Sequence, residues 1–113
     1  MRIDTNNKMT MIRGETESFT VGGANEPFET GDSVHFTVAK SFSDNPVLHI
    51  EVTSFTEEGA AVINVAHSDT AGLDVGSYVY DVRVIKSNNV YKTILGGKKD
   101  TPAEFFLVPE VTK

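Results

Sequence analysis

The stretch Ser33-Val34-His35-Phe36-Thr37-Val38-Ala39-Lys40 decides the fold class. Val34, Phe36 and Val38 fall on one side of an extended chain and His35 and Thr37 on the other, the two-residue period of a half-buried β-strand. The alternation returns over residues 47–54, where Leu48, Ile50 and Val52 oppose His49, Glu51 and Thr53. Phe55-Thr56-Glu57-Glu58-Gly59 then supplies a turn into residues 60–66, with Ile63 and Val65 inward and Asn64 outward, so a hairpin is expected here. Tyr78, Tyr80, Val82 and Val84 alternate with Val79, Asp81, Arg83 and Ile85 over a strand of about ten residues, roughly 33 Å long, which is expected to be central. Ser87-Asn88-Asn89 reads as a short hairpin loop, because Asn tolerates the left-handed conformation, and residues 90–95 return alongside. A last strand covers about 104–108, and weaker ones at 9–12 and 18–21 precede the loop Gly22-Gly23-Ala24-Asn25-Glu26-Pro27. No window of a dozen residues keeps apolar positions at helical spacing. Seven or eight strands and no helix are expected.

The 113 residues, 39% of them hydrophobic, suit one domain over 1–113, since two halves would each be too small to close a core unaided. The chain has no cysteine, which removes disulfides, thiolate ligands and thiol nucleophiles together. Sixteen acidic against ten basic side chains give a net charge of −6, a balance that repels phosphate backbones and anionic lipid, so neither nucleic acid nor membrane is an expected partner. Residues 1–10 are polar and carry no apolar run long enough for a signal peptide or a membrane span.

Turn signals every eight to twelve residues in an all-β chain of this length favour an immunoglobulin-like, two-sheet antiparallel β-sandwich over a closed barrel. Leu73-Asp74-Val75-Gly76-Ser77-Tyr78-Val79-Tyr80 sharpens that reading. Asp-x-Gly-x-Tyr is the spacing of a tyrosine corner, in which Gly76 takes an unusual backbone angle, the Tyr78 hydroxyl bonds a backbone group upstream, and Tyr80 stands where antibody domains place a cysteine.

Two longer stretches, Pro27-Phe28-Glu29-Thr30-Gly31-Asp32-Ser33-Val34-His35-Phe36-Thr37-Val38 and Asp69-Thr70-Ala71-Gly72-Leu73-Asp74-Val75-Gly76-Ser77-Tyr78-Val79-Tyr80-Asp81-Val82, carry a family likeness. With Tyr91-Lys92-Thr93-Ile94-Leu95-Gly96-Gly97 and the closing Val111-Thr112, the chain resembles small β-sandwich structural proteins of tailed phages and prophages, of the baseplate, tail or head-decoration type. The resemblance runs over about residues 12–112. It implies a non-enzymatic virion role, synthesis in the host bacterial cytoplasm, and partners that are other virion proteins, further copies of itself, or both. It brings no catalytic residues. The alternative is a receptor- or carbohydrate-binding sandwich, which usually needs exposed aromatic platforms. The chain has no tryptophan, leaving Tyr91 and a phenylalanine for that role.

Other constellations read as ordinary structure. His35 and His49 become neighbours only if their strands pair, and His67 sits at a strand end, so no metal or other cofactor is expected. His67-Ser68-Asp69 holds the letters of a hydrolase triad, but contiguous residues cannot align nucleophile, base and orienting acid. Asp69, Asp74 and Asp81 lack calcium-loop spacing, and the adjacent turn residues Glu57 and Glu58 point apart. Gly96-Gly97-Lys98-Lys99 lacks the first glycine of a phosphate loop. Phe105-Phe106-Leu107-Val108 stands apart, because alternation sends Phe105 and Leu107 to one face and Phe106 and Val108 to the other. On an edge strand one pair needs a cover, from a loop such as the amino-terminal segment or from another molecule, and the second case makes these four residues the candidate subunit interface.

Overall fold

The computed structural model describes residues 2–4, 7–23, 27–41, 43–95 and 103–111. Among them run strands β1 (Arg2–Ile3), β2 (Met9–Ile12), β3 (Glu17–Gly22), β4 (Ser33–Ala39), β5 (Pro46–Val52) and β6 (Ala60–Val65). Helix α1 (His67–Ala71) follows, then β7 (Gly76–Ile85), β8 (Tyr91–Leu95) and β9 (Ala103–Val108). The chain folds as an all-β sandwich of two sheets. The larger has seven strands in the order β1-β2-β9-β7-β4-β5, with β8 also on β7, and the smaller is β3-β6 alone. β7 is central: β4 takes one edge along Val79–Ile85, while β8 and β9 lie end to end along the other.

Alternation translates directly into burial. Val34, Phe36 and Val38 of β4 have no exposed surface, and Tyr78, Tyr80, Val82 and Val84 of β7 are buried beside them. Met9, Met11, Phe105 and Leu107 extend that floor, and Ala61, Ile63 and Val65 of β6 close it from the smaller sheet. Phe36 is the hub, meeting Phe19 edge-on at 5.2 Å, Tyr80 at 5.9 Å and Phe105 at 6.4 Å between ring centres.

Four expectations are corrected. Residues 47–66 do not form a hairpin: β5 pairs with β4 and β6 with β3, so the turn at 55–59 carries the chain from one sheet to the other. Phe55 packs on Phe28 at 5.4 Å, and Gly59, at φ +81°, has Pro27 pressed against it so closely that a Cβ would lie 2.5 Å from the proline Cβ. An alternating strand, a turn and a second alternating strand look alike locally whether or not the second rejoins the first sheet. The pairing is also not wholly antiparallel, because β2 runs parallel to β9, Met9 opposite Phe105 through Ile12 opposite Val108. Parallel neighbours need a long connection, and here nearly the whole chain supplies it. There are nine strands rather than seven or eight among the described residues, the two-residue β1 having too little pattern to read. Helix α1 was not expected, since five residues carry no apolar period.

Candidate functional site

Tyr78 Oη donates to the Asp74 carbonyl at 2.6 Å, closing the bend into β7, and Gly76 has φ +138° with only the Lys40 Nζ, at 3.8 Å, beside the place of a Cβ, so its glycine serves backbone geometry more than packing. Burial, helped by Asp74, raises the Tyr78 phenol above its ordinary range. Tyr80 Oη donates to the Asn7 carbonyl, tying the amino-terminal segment to the central strand, and burial pushes this phenol up to about 12. Tyr78→Phe is expected to lower stability by about 1 to 2 kcal/mol, the cost of an acceptor left without its donor. An unchanged urea midpoint would show that the bond contributes nothing.

At the same end, Arg13 grips Glu110 through two bonds, Nε to Oε2 at 3.2 Å and Nη2 to Oε1 at 3.0 Å, and its Nη1 donates to the Leu73 carbonyl at 3.3 Å. The pairing with Glu110 raises the guanidinium pKa further. Gly14 N–H donates to Thr70 Oγ1 at 2.8 Å, and His67 Nδ1 donates to the Gly14 carbonyl. Asp69 accepts the Ala66 N–H at 2.8 Å, which caps α1. The residues 13–14, 69–73 and 110 therefore form one clamp joining the β2–β3 turn, α1 and the segment after β9. Beside it lies an open cleft of about 510 Å³ lined by Ile12, His67, Ala71, Pro109 and Val111. His67 and Asp69 are each spent on a backbone partner, and Ser68 is exposed, so no relay runs through the three.

A second tie went unread in the sequence. Asp32 is buried, and its carboxylate accepts from Glu29 N–H at 2.9 Å, Ser87 N–H at 3.0 Å and Lys86 Nζ at 2.7 Å. Lys86 and these backbone donors hold its pKa below the usual aspartate range. It pins the turn before β4 to the β7–β8 loop, where Asn89 has φ +65°.

The outer face of the large sheet holds the third cluster. His35 Nδ1 and His49 Nε2 are 2.9 Å apart, and Ser33 Oγ is 2.9 Å from His35 Nε2, with Glu51 Oε2 at 3.7 Å. The rings are 11° from parallel with centres 5.1 Å apart, about the nitrogen separation plus both ring radii. The nitrogens thus meet head-on, nearly in one plane, instead of the faces stacking. One imidazole donates and the other accepts, and no ion fits in line between them. A shallow groove of about 330 Å³ continues from this pair past Asp81 and Arg83 to the exposed Tyr91. Among the described residues no three His, Asp or Glu side chains are grouped to hold a metal, and Asp69, Asp74 and Asp81 lie on α1, the corner loop and the outer face respectively. Glu57 and Glu58 are exposed in their turn. Gly96-Gly97-Lys98-Lys99 and Thr112 lie outside the described residues.

Phe105 and Leu107 point into the core, while Phe106 and Val108 are half-buried on the outer face. β9 is not an edge strand, since β2 and β7 flank it on both sides. Lys8 Nζ lies 4.3 Å over the Phe106 ring, and Ile12, 38% exposed, stands opposite Val108. The strand-edge argument for association therefore fails at this position, and an outer-face apolar row remains. No family model matches the chain, and no curated protein matches it.

Proposed function

We propose that this chain is a non-enzymatic structural module of a phage or prophage virion, docking in or decorating a tail, baseplate or head assembly. The observation that carries this reading is the division of labour between the residues of the corner and clamp and the open surface. Arg13, Gly14, Thr70, Leu73, Asp74 and Tyr78 are engaged with one another and with Glu110 in holding one end of the sandwich shut. What they leave for partners is surface, foremost the outer-face row Ile12, Phe106 and Val108 on paired strands. Phage-like strand-turn grammar supports the choice of assembly.

Mass spectrometry of particles purified from a strain carrying the gene is the test. The chain should copurify with virions in stoichiometric amount, and Phe106→Ser should lower its incorporation several-fold with melting nearly unchanged. Particles without the chain would sink the reading. A second reading, a receptor- or glycan-binding sandwich, is favoured by the groove from His49 to Tyr91, where one exposed ring adjoins Asp81, Arg83 and two imidazoles. Saturable glycan-array binding lost in Tyr91→Ala would select it.

A further inference from the structure

The smaller sheet has two strands only, and β6 exposes an edge whose chemistry can be read residue by residue. Ala60 uses both backbone groups on Thr56, its carbonyl accepting Thr56 N–H at 2.9 Å and its N–H donating to Thr56 Oγ1 at 3.1 Å. These groups therefore point away from Gly22, its neighbour on β3. Alternate residues of a strand direct their backbone groups to the same side, so Val62 and Asn64 face that edge too. The edge ends at Ala66, whose N–H is taken by Asp69 and whose carbonyl accepts Asp69 N–H at 3.0 Å. Local turns seal both ends of the strand, and between them stand two donors and two acceptors, those of Val62 and Asn64, with no partner among the described residues.

Between those turns the sequence devices that usually protect such an edge are missing from β6. Its sequence Ala60-Ala61-Val62-Ile63-Asn64-Val65 has no charge, proline or glycine, and its pairing with β3 has no bulge. The outward side chains of this sheet, Ser18 and Thr20 on β3 with Val62 and Asn64 on β6, are also uncharged. On a chain of net charge −6 the outward face of this small sheet is uncharged, and Glu51 is the one acidic side chain lining the groove beside β6.

We propose that β6 is a homodimer edge, pairing antiparallel with β6 of a second copy about a twofold axis at Ile63. The register is self-complementary: Val62 faces Asn64 of the second copy and Asn64 faces its Val62, so the four open groups of each chain are satisfied by four hydrogen bonds. Ile63, whose backbone groups point to Phe19, then faces its own equivalent, and the two small sheets become one of four strands, β3-β6-β6-β3. The contact also covers the groove of about 450 Å³ beside β6, where Val52 and Phe55 are half-exposed. The inference does not depend on the virion reading.

Sedimentation velocity over a wide concentration series, with amide exchange on the same samples, tests it. The wild type should rise toward twice the monomer mass, and the amides of Val62 and Asn64 should gain protection with concentration while those of Ala60 and Ala66, bonded internally, do not. Val62→Pro removes one edge donor without touching the β3 ladder, and Val62→Lys places a charge on the outer face. Both should remain monomeric throughout the series with melting nearly unchanged, Val62→Lys keeping the test decisive if the proline variant does not fold. A wild type that stays monomeric at millimolar concentration overturns the proposal. So does a dimer that persists in folded Val62→Lys.

Discussion

Phe36→Ala is expected to lower unfolding free energy by about 3 to 5 kcal/mol, the range for removing a buried phenylalanine and leaving its cavity behind. The ring has no exposed surface and three aromatic neighbours drawn from β3, β7 and β9, so the void would open where both sheets meet. Collapse is resisted on every side. β4 is fixed by β5 on one edge and β7 on the other, and neither can shift without breaking ladder pairs. Since domains of this size are stable by only about 5 to 15 kcal/mol, the variant should lie close to its unfolding threshold at room temperature. Urea denaturation with an unchanged slope measures the loss, and a loss below about 1 kcal/mol would mean that the two sheets close elsewhere.

The second large effect belongs to Asp32. Asp32→Ala takes a buried, charged acceptor from the Glu29 and Ser87 amides, whose bonds to it are part-buried, which should cost about 2 to 4 kcal/mol. Most of this loss is assigned to the amides, because Lys86 is about one-third exposed and its attraction is screened by solvent. Asp32 ionises more readily folded than unfolded, so its contribution is complete above the ordinary aspartate pKa, near pH ~4, and fades as pH falls through the lower folded value. Asp32→Asn should therefore be less stable than wild type at neutral pH and lose less on acidification, the two curves converging at low pH. Parallel curves would assign the acid sensitivity to other carboxylates.

Residues 33–40 and 78–85 announced their strands because each buries one face and wets the other, and the corner was legible because Asp74, Gly76 and Tyr78 are close in sequence. The pairing of His35 with His49 followed once β4 and β5 were adjacent. What stayed hidden depends on distant partners. Arg13 meets Glu110 across 97 positions, and Asp32 reaches Lys86 across 54. The local half of the Asp32 tie was available, since an aspartate accepting from the amide three residues earlier is an ordinary turn device. Phe105 to Val108 were sorted to the correct faces by period, yet the strand's place inside the sheet was set by β2, ninety-odd residues upstream, which no local pattern reports.

The parallel pairing of β2 with β9 sets how the molecule bears load. A pull between the chain's two ends draws these strands past each other along their length, so the cross-links from Met9–Phe105 to Ile12–Val108 are stressed together instead of opening one at a time. The amide of Arg13 donates to the Val108 carbonyl at 2.9 Å, and its guanidinium holds Glu110 just beyond, so resistance continues past the last ladder pair. β1, two residues long and antiparallel to β2, would peel first and act as a short slack. Rupture force should then be high for pulling at the termini and much lower for pulling across β5, whose ladder with β4 would unzip one rung after another.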